Sequence, residues 1–242
     1  MKKLQNSLQK LSFSQGFKDG IPIGLGYLSV SFSFGISAAS KGVSWLAATL
    51  ISMTNLTSAG QVAGLTIIAA AGTLLEMALA QLVINMRYAL MSLSLSQKLD
   101  GSFTLPHRFL ASFGITDEIF ATASSKRGDI TPSYMYGLIL LPFLCWSTGT
   151  LLGGIAGSIM PDILRNSLGI AIYGMFIAIF IPPARKSVGV LATVTAAAAL
   201  SCCFRYIPLF SGLSSGFSVI ICTLAASAAG ALIFPRKEAD EE

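Results

Sequence analysis

The charges of this chain are clustered, and between the clusters lie long runs with none, covering 20–40, 42–75, 130–161, 166–184, 187–204 and 206–235. Each run is near or above the ~18 residues that cross the hydrocarbon core of a bilayer as a helix. The pattern predicts a spanning helix over 20–39, with Pro22 in its first turn, where a missing N–H costs little. Further spans are predicted over 73–96, 133–158, 167–182, 187–202 and 213–234, with a mixed polar segment over 97–131. The run 42–75 is anomalous, because as one straight helix at ~1.5 Å per residue it would be about 51 Å long, well past the ~30 Å core. Its middle, Thr54-Asn55-Leu56-Thr57-Ser58-Ala59-Gly60-Gln61, holds the small and polar residues that tolerate a break. Irregular backbone at membrane depth survives only where protein or a water-filled cavity satisfies it, so a discontinuous, re-entrant helix is expected near 54–61. The fold class that follows is an all-α polytopic transmembrane bundle of about six to eight membrane segments. Residues 1–19 are expected to be a cytoplasmic N-terminal segment, 20–234 a single transmembrane domain, and 235–242 an acidic cytoplasmic tail.

Composition agrees with this layout. Hydrophobic residues make up 53% of the 242 and charged residues only 11%, where soluble domains carry roughly 25%. The mean hydropathy is +0.72. Such a chain is not a secreted module, a nucleic-acid-binding domain or a soluble enzyme. The net charge of +5 is explained by the sorting of basic residues across a bilayer. With the N-terminus, 97–132, Arg185, Lys186 and the tail inside, only Lys41, Arg165 and Arg205 fall outside and Arg87 within a span. That arrangement requires an even number of crossings before residue 97. Either 42–72 is a re-entrant pair of half-helices or 104–125 is an extra crossing, and the broken-helix signal favours the first.

Catalytic and metal chemistry find little footing. Cys145, Cys202, Cys203 and Cys222 lie in apolar runs without CxxC spacing, and His107 is the single histidine. No G-x-S-x-G elbow or Ser-His-Asp set can be assembled, so no enzyme activity, metal or cofactor is expected. Polar groups inside the spans are instead the places to look for function, since each is costly in lipid unless it faces a partner or a cavity. Gln81, Asn85, Tyr88 and Ser92 form one stripe at ~100° per residue, while Glu76 and Arg87 lie on another face. Glu76 and Arg87 read equally well as a lock between helices or as coupling groups; Gln81 and Asn85 read as functional.

At this point the residues carry a resemblance. Residues 16–27 (GFKDGIPIGLGY), Ser58-Ala59-Gly60-Gln61, Asn85-Met86-Arg87-Tyr88-Ala89-Leu90 and Ile115-Thr116-Asp117-Glu118-Ile119-Phe120, in this order, resemble the AzlC family, the large subunit of bacterial branched-chain amino-acid exporters. The resemblance implies export of valine, leucine, isoleucine or analogues across the bacterial cytoplasmic membrane, with a small AzlD-like membrane subunit as partner. Two departures bear on substrate. The family's Asn-x-Arg motif commonly continues with His where this chain has Tyr88, and Thr54-Asn55-Leu56-Thr57 stands where a more apolar run is expected. A transporter or channel of the same fold for another small solute remains the alternative.

An amino-acid zwitterion needs donors for its carboxylate, acceptors for its ammonium and an apolar pocket, and half-helix ends supply the first two. Ser58, Gly60 and Gln61 are expected to offer exposed N–H groups and an amide, with Gln81, Asn85 and Tyr88 beside them. Gly60 reads equally well as the residue that lets the chain bend. Asp117 and Glu118 are the acidic pair for gating or proton coupling, Asp117 on a helical face with Phe109, Phe113 and Phe120. The plainer reading makes Thr116 a helix N-cap with the acids in the first turn. Gly149, Gly153 and Gly157 repeat at every fourth position, a face for close packing within the chain or for docking the small subunit.

Overall fold

A computed structural model describes residues 11–169, 171–210 and 212–234; the lysines before Leu11 and the tail 235–242 lie outside the described residues. The helices are α1 (Phe13–Ser40), α2 (Trp45–Thr54), α3 (Ser58–Ala69), α4 (Leu74–Ser96), α5 (Leu105–Phe113), α6 (Asp117–Ser124), α7 (Pro132–Ile159), α8 (Asp162–Gly169), α9 (Ala171–Lys186), α10 (Val188–Tyr206) and α11 (Ser215–Ile233). Among the described residues there is no strand, only an isolated bridge between Leu99 and Ile130. Helices α1, α4, α7, α10 and α11 are long and apolar enough to cross a membrane. The chain is a polytopic helical membrane protein, and the anomalous run is broken between α2 and α3, inside the expected window. The abundant serines and threonines have a local reason. Ser12, Ser44, Thr116, Thr131, Ser187 and Ser214 each stand at an N-cap and accept a backbone N–H from the first turn, satisfying donors that a helix start leaves open.

Two expectations are corrected. The first span begins at Phe13, because Ser12 caps it, so Pro22 lies inside the helix rather than in its first turn. The expected span 167–182 covers the end of α8 and most of α9, with residue 170 between them outside the described residues. The segment 97–131 contains two short helices, α5 and α6, split at Gly114, Ile115 and Thr116. Phe109 and Phe113 therefore belong to α5 and Asp117 and Phe120 to α6, and they do not share one helical face. Gly114 ends α5, and a Cβ there would stand 2.4 Å from Ile139, so the break also lets the chain pass close to α7.

The chain forms two compact units, one of the described residues up to Gln61 with Asn85–Ile172, the other of Val62–Ile84 with the described residues from Tyr173 onward. In the first, α1 and α7 run parallel. Gly16 lies against Tyr134 and Leu138, Gly24 against Leu141 and Cys145, and Gly35 against Thr150 and Gly154. From the other side Gly149, Gly153 and Gly157 meet Leu28, Phe32 and Ile36 in turn. The glycine face of α7 is covered by α1, which corrects its reading as a docking surface for a partner. A Cβ at Gly153 would stand 2.0 Å from the Phe32 carbonyl oxygen, a backbone atom that cannot swing aside. Such close approach supplies the van der Waals contact that holds helices together where lipid removes the hydrophobic drive.

Helix α2 packs antiparallel to α7, with Trp45 on Gly154 and the Ser52 hydroxyl 2.7 Å from that of Thr150. At the N-terminal end of α1 and α7, Asp19 accepts a hydrogen bond from the Tyr134 phenol at 2.8 Å and pairs with Lys126 at 2.7 Å. The start of α1 and the segment around Lys126 thus lie at the same end of this unit. The apolar centre there is formed by Leu95, Phe103, Ile115, Ile119, Tyr134 and Leu138, among others.

In the second unit α10 and α11 are antiparallel neighbours, with Gly230 beside Thr193 and Gly189 beside Phe234. Ile67, Ala80 and Ile220 form its core. Glu76, only 3% exposed, accepts from the Ser214 hydroxyl at 2.6 Å and from the Gly216 N–H at 2.7 Å. Gly72 and Gly216 make the room, since a Cβ at either would fall within 2.8 Å of the carboxylate.

Candidate functional site

The break after α2 leaves Asn55, Leu56 and Thr57 outside regular helix, and their backbone groups need partners. Gln61, 2% exposed, supplies much of the answer. Its amide nitrogen donates to the Asn55 carbonyl, and its oxygen accepts from the Trp146 indole and the Ser52 hydroxyl, each at 3.3 Å. Thr57 caps α3: its hydroxyl accepts the Gly60 N–H at 3.4 Å and donates to the Asn85 side-chain oxygen at 2.9 Å. The Gly60 N–H is therefore engaged, as is that of Gln61, which donates to the Thr57 carbonyl at 2.9 Å. Gly60 has no positive φ, so the bend does not depend on its freedom there.

The second break is built alike. Thr116 caps α6 by accepting the Ile119 N–H, which gives the expected N-cap, with Asp117 and Glu118 in the first turn beside the positive end of the helix dipole. Tyr27 of α1 hydrogen-bonds the Thr116 hydroxyl at 2.6 Å and donates to the Glu118 carboxylate. The ring of Tyr27 meets Trp146 edge to face at 5.1 Å, and both pack on Leu56 of the first break.

A run of polar contacts joins the two breaks. The Tyr88 phenol donates to Thr57 at 3.4 Å and accepts from Arg87 at 3.1 Å, and the guanidinium stands 4.8 Å from the Tyr88 ring centroid. Arg87 then pairs with Asp117 at 2.9 Å, their side chains 41% and 35% exposed. Burial pushes the Asp117 carboxyl above the usual carboxylate range; the Arg87 guanidinium pulls it back, and Glu118 adds to the rise. Asn85, Tyr88, Arg87, Asp117 and Glu118 are thus assembled around the breaks. Gln81 and Glu76 lie elsewhere in the division of the chain. They belong to the second unit, Gln81 beside Gly64 and Met77, Glu76 at the start of α11. Ser58 opens α3 directly after Thr57.

Sequence reasoning passed over Tyr27, Thr57 and Trp146 as site residues, and took Thr116 only as a cap. The available signal was polarity within apolar spans, which Tyr27 and Trp146 share with the chosen residues.

Comparison with known proteins gives the family. Residues 22–160, which contain both breaks, match the family model described as AzlC protein. The chain belongs to the AzlC family. Its relatives include an uncharacterized membrane protein of Archaeoglobus fulgidus, 31% identical over 73% of this chain and 78% of its own length. The inner membrane protein YgaZ of Escherichia coli is 30% identical over 61% of this chain and 62% of its own length. An uncharacterized membrane protein of Helicobacter pylori is 29% identical over 60% of this chain and 66% of its own length. No solved structure matches. Membership of the AzlC family, with several spanning helices, makes the chain a transporter-related membrane protein rather than a recognisable enzyme.

Proposed function

We propose that this chain is the large subunit of a secondary transporter that exports branched-chain amino acids across the cytoplasmic membrane, coupled to protons and working with a small AzlD-like subunit. The observation that carries the reading is the half-exposed Arg87–Asp117 pair between two helix breaks. A zwitterion satisfies both members at once, its carboxylate on Arg87 and its ammonium on Asp117, so binding opens the pair without leaving either charge alone. Asn85 and Tyr88 add neutral partners, and Gln61 acts from behind by holding the first break. Asp117 carries the coupled proton, because its protonation releases Arg87. The N-terminus, Lys126 and Arg127, Arg185 and Lys186, and the tail face the cytoplasm, following the concentration of basic residues.

Leucine efflux from loaded vesicles, measured with and without the small subunit, tests the reading. Saturable efflux that needs both subunits and a proton gradient is expected. Flux that rises linearly with leucine would instead make the protein a channel. Strong labelling of a cysteine placed at position 126 or 186 from outside sealed cells would overturn the orientation.

A further inference from the structure

A cavity of about 350 Å³ opens beside the site within the first unit, walled by Ser92 and Leu95 of α4, Phe103, Ala111 of α5, Ile115 and Met135 of α7. Its size falls at the lower end of the roughly 300–1,000 Å³ of small-molecule sites, which suits one small solute. Two observations join it to the ion pair. Tyr88, Ser92 and Leu95 follow one another at helical spacing on α4, so the stripe that reaches Thr57 continues into the cavity wall. Ile115 belongs to the second break, two residues before Asp117, and also lines the cavity. The lining contains no carboxylate; its one charged residue, Arg108, spends its Nε on the Phe103 carbonyl. An ammonium group finds no counter-charge in such a lining, whereas hydrocarbon finds leucine, phenylalanine and methionine side chains.

We propose that this cavity receives the aliphatic side chain of the transported zwitterion while its charged head exchanges into the Arg87–Asp117 pair, which makes Ala111 and Ser92 specificity-determining residues. The assignment rests on the transporter reading above, and the two fail in different ways. Ala111 is buried among Leu95, Phe103 and Ile115, so a larger side chain there projects into the cavity. Ser92, half-buried, lines the cavity from α4.

The test is the ratio of leucine to alanine export by vesicles holding the complete two-subunit complex. Ala111→Phe should lower that ratio by about 10-fold or more, the scale on which apolar pockets discriminate by size, and Ser92→Leu should move it the same way. Should Ala111→Phe fail to accumulate in the membrane, Ser92→Leu decides alone. A variant that reaches the membrane and keeps the wild-type ratio, or loses both exports in parallel, would overturn the assignment and leave the cavity to a lipid acyl chain. Saturable transport of neither amino acid by the wild-type complex would remove the transporter reading, and the pocket with it.

Discussion

The two helix breaks share a plan, a threonine that caps the second half-helix and a phenol that reaches the threonine, yet the groups that hold them differ. Around Thr57 the contacts are neutral: the Gln61 amide, the Ser52 and Thr150 hydroxyls, the Trp146 indole and Asn85. Around Thr116 they are ionisable, with Asp117 on Arg87 and Glu118 on Tyr27. Hydrogen bonds among neutral groups keep the same strength when the pH changes, whereas a carboxylate that gains a proton gives up its cation. On the proposed reading, the first break is therefore the fixed wall of the site and the second its movable one. A transporter needs both, since a site that is rigid throughout binds without releasing and one that is loose throughout does not select.

Substitution can break this contrast. The largest effect is expected from Asp117→Asn, which should lower proton-driven export by about 100-fold or more, the scale for removing a positioned proton carrier, while exchange of labelled for unlabelled leucine, whose ammonium can still donate to the asparagine oxygen, falls less. Export in that variant with ordinary pH dependence would return Asp117 to a purely structural role. Next comes Gln61→Leu, which leaves the Asn55 carbonyl, the Ser52 hydroxyl and the Trp146 indole short of a partner. It should cost about 2 kcal/mol in detergent-solubilised thermal unfolding, equally at acid and neutral pH. A loss that varied with pH would contradict the assignment of this break as the neutral one.

Arg87→Gln sharpens the movable side. Because the guanidinium pulls the Asp117 carboxyl downward against the effect of burial, its removal should raise that group further. The midpoint of the pH profile of export should then move toward alkaline pH by about 1 unit, and a shift toward acid would exclude Asp117 as the titrating group. The smallest effect is expected from Tyr27→Phe, which removes a neutral donor from Glu118 and should lower stability by about 1 kcal/mol. Its test is the difference from wild type in unfolding temperature, with the Trp146 packing preserved by the phenylalanine ring.

The first break was legible because the run 42–75 exceeds what a bilayer accommodates and its polar residues mark one place to interrupt it. The second was hidden, since α5 and α6 have 9 and 8 residues and never form an apolar run long enough to look wrong. Thr116 was readable as a cap, but a cap by itself does not say that another helix ended two residues earlier at Gly114. Tyr27 escaped for a different reason. Its partners Thr116 and Glu118 are 89 and 91 residues away, and no local periodicity encodes a contact at that range. Gln61 stands out in the sequence as substrate-facing, but polarity at membrane depth does not distinguish an amide that meets a solute from one that braces the backbone. Spacing had the same blind spot in α7, where the glycines announce close packing without naming α1 as the neighbour.

The Glu76 carboxylate has a consequence for how the chain is made. Its partners Ser214 and Gly216 lie 138 and 140 residues downstream, so at translation rates of ~5–20 residues per second the acid exists for roughly 7 to 28 s before either has been synthesised. During that interval the carboxyl has neither Ser214 nor Gly216 to receive it. A polypeptide stalled or truncated before Ser214 stays in that state permanently. Glu76 thus ties the first turn of α4 to the start of α11, and the second unit closes around the carboxylate only once both have been made.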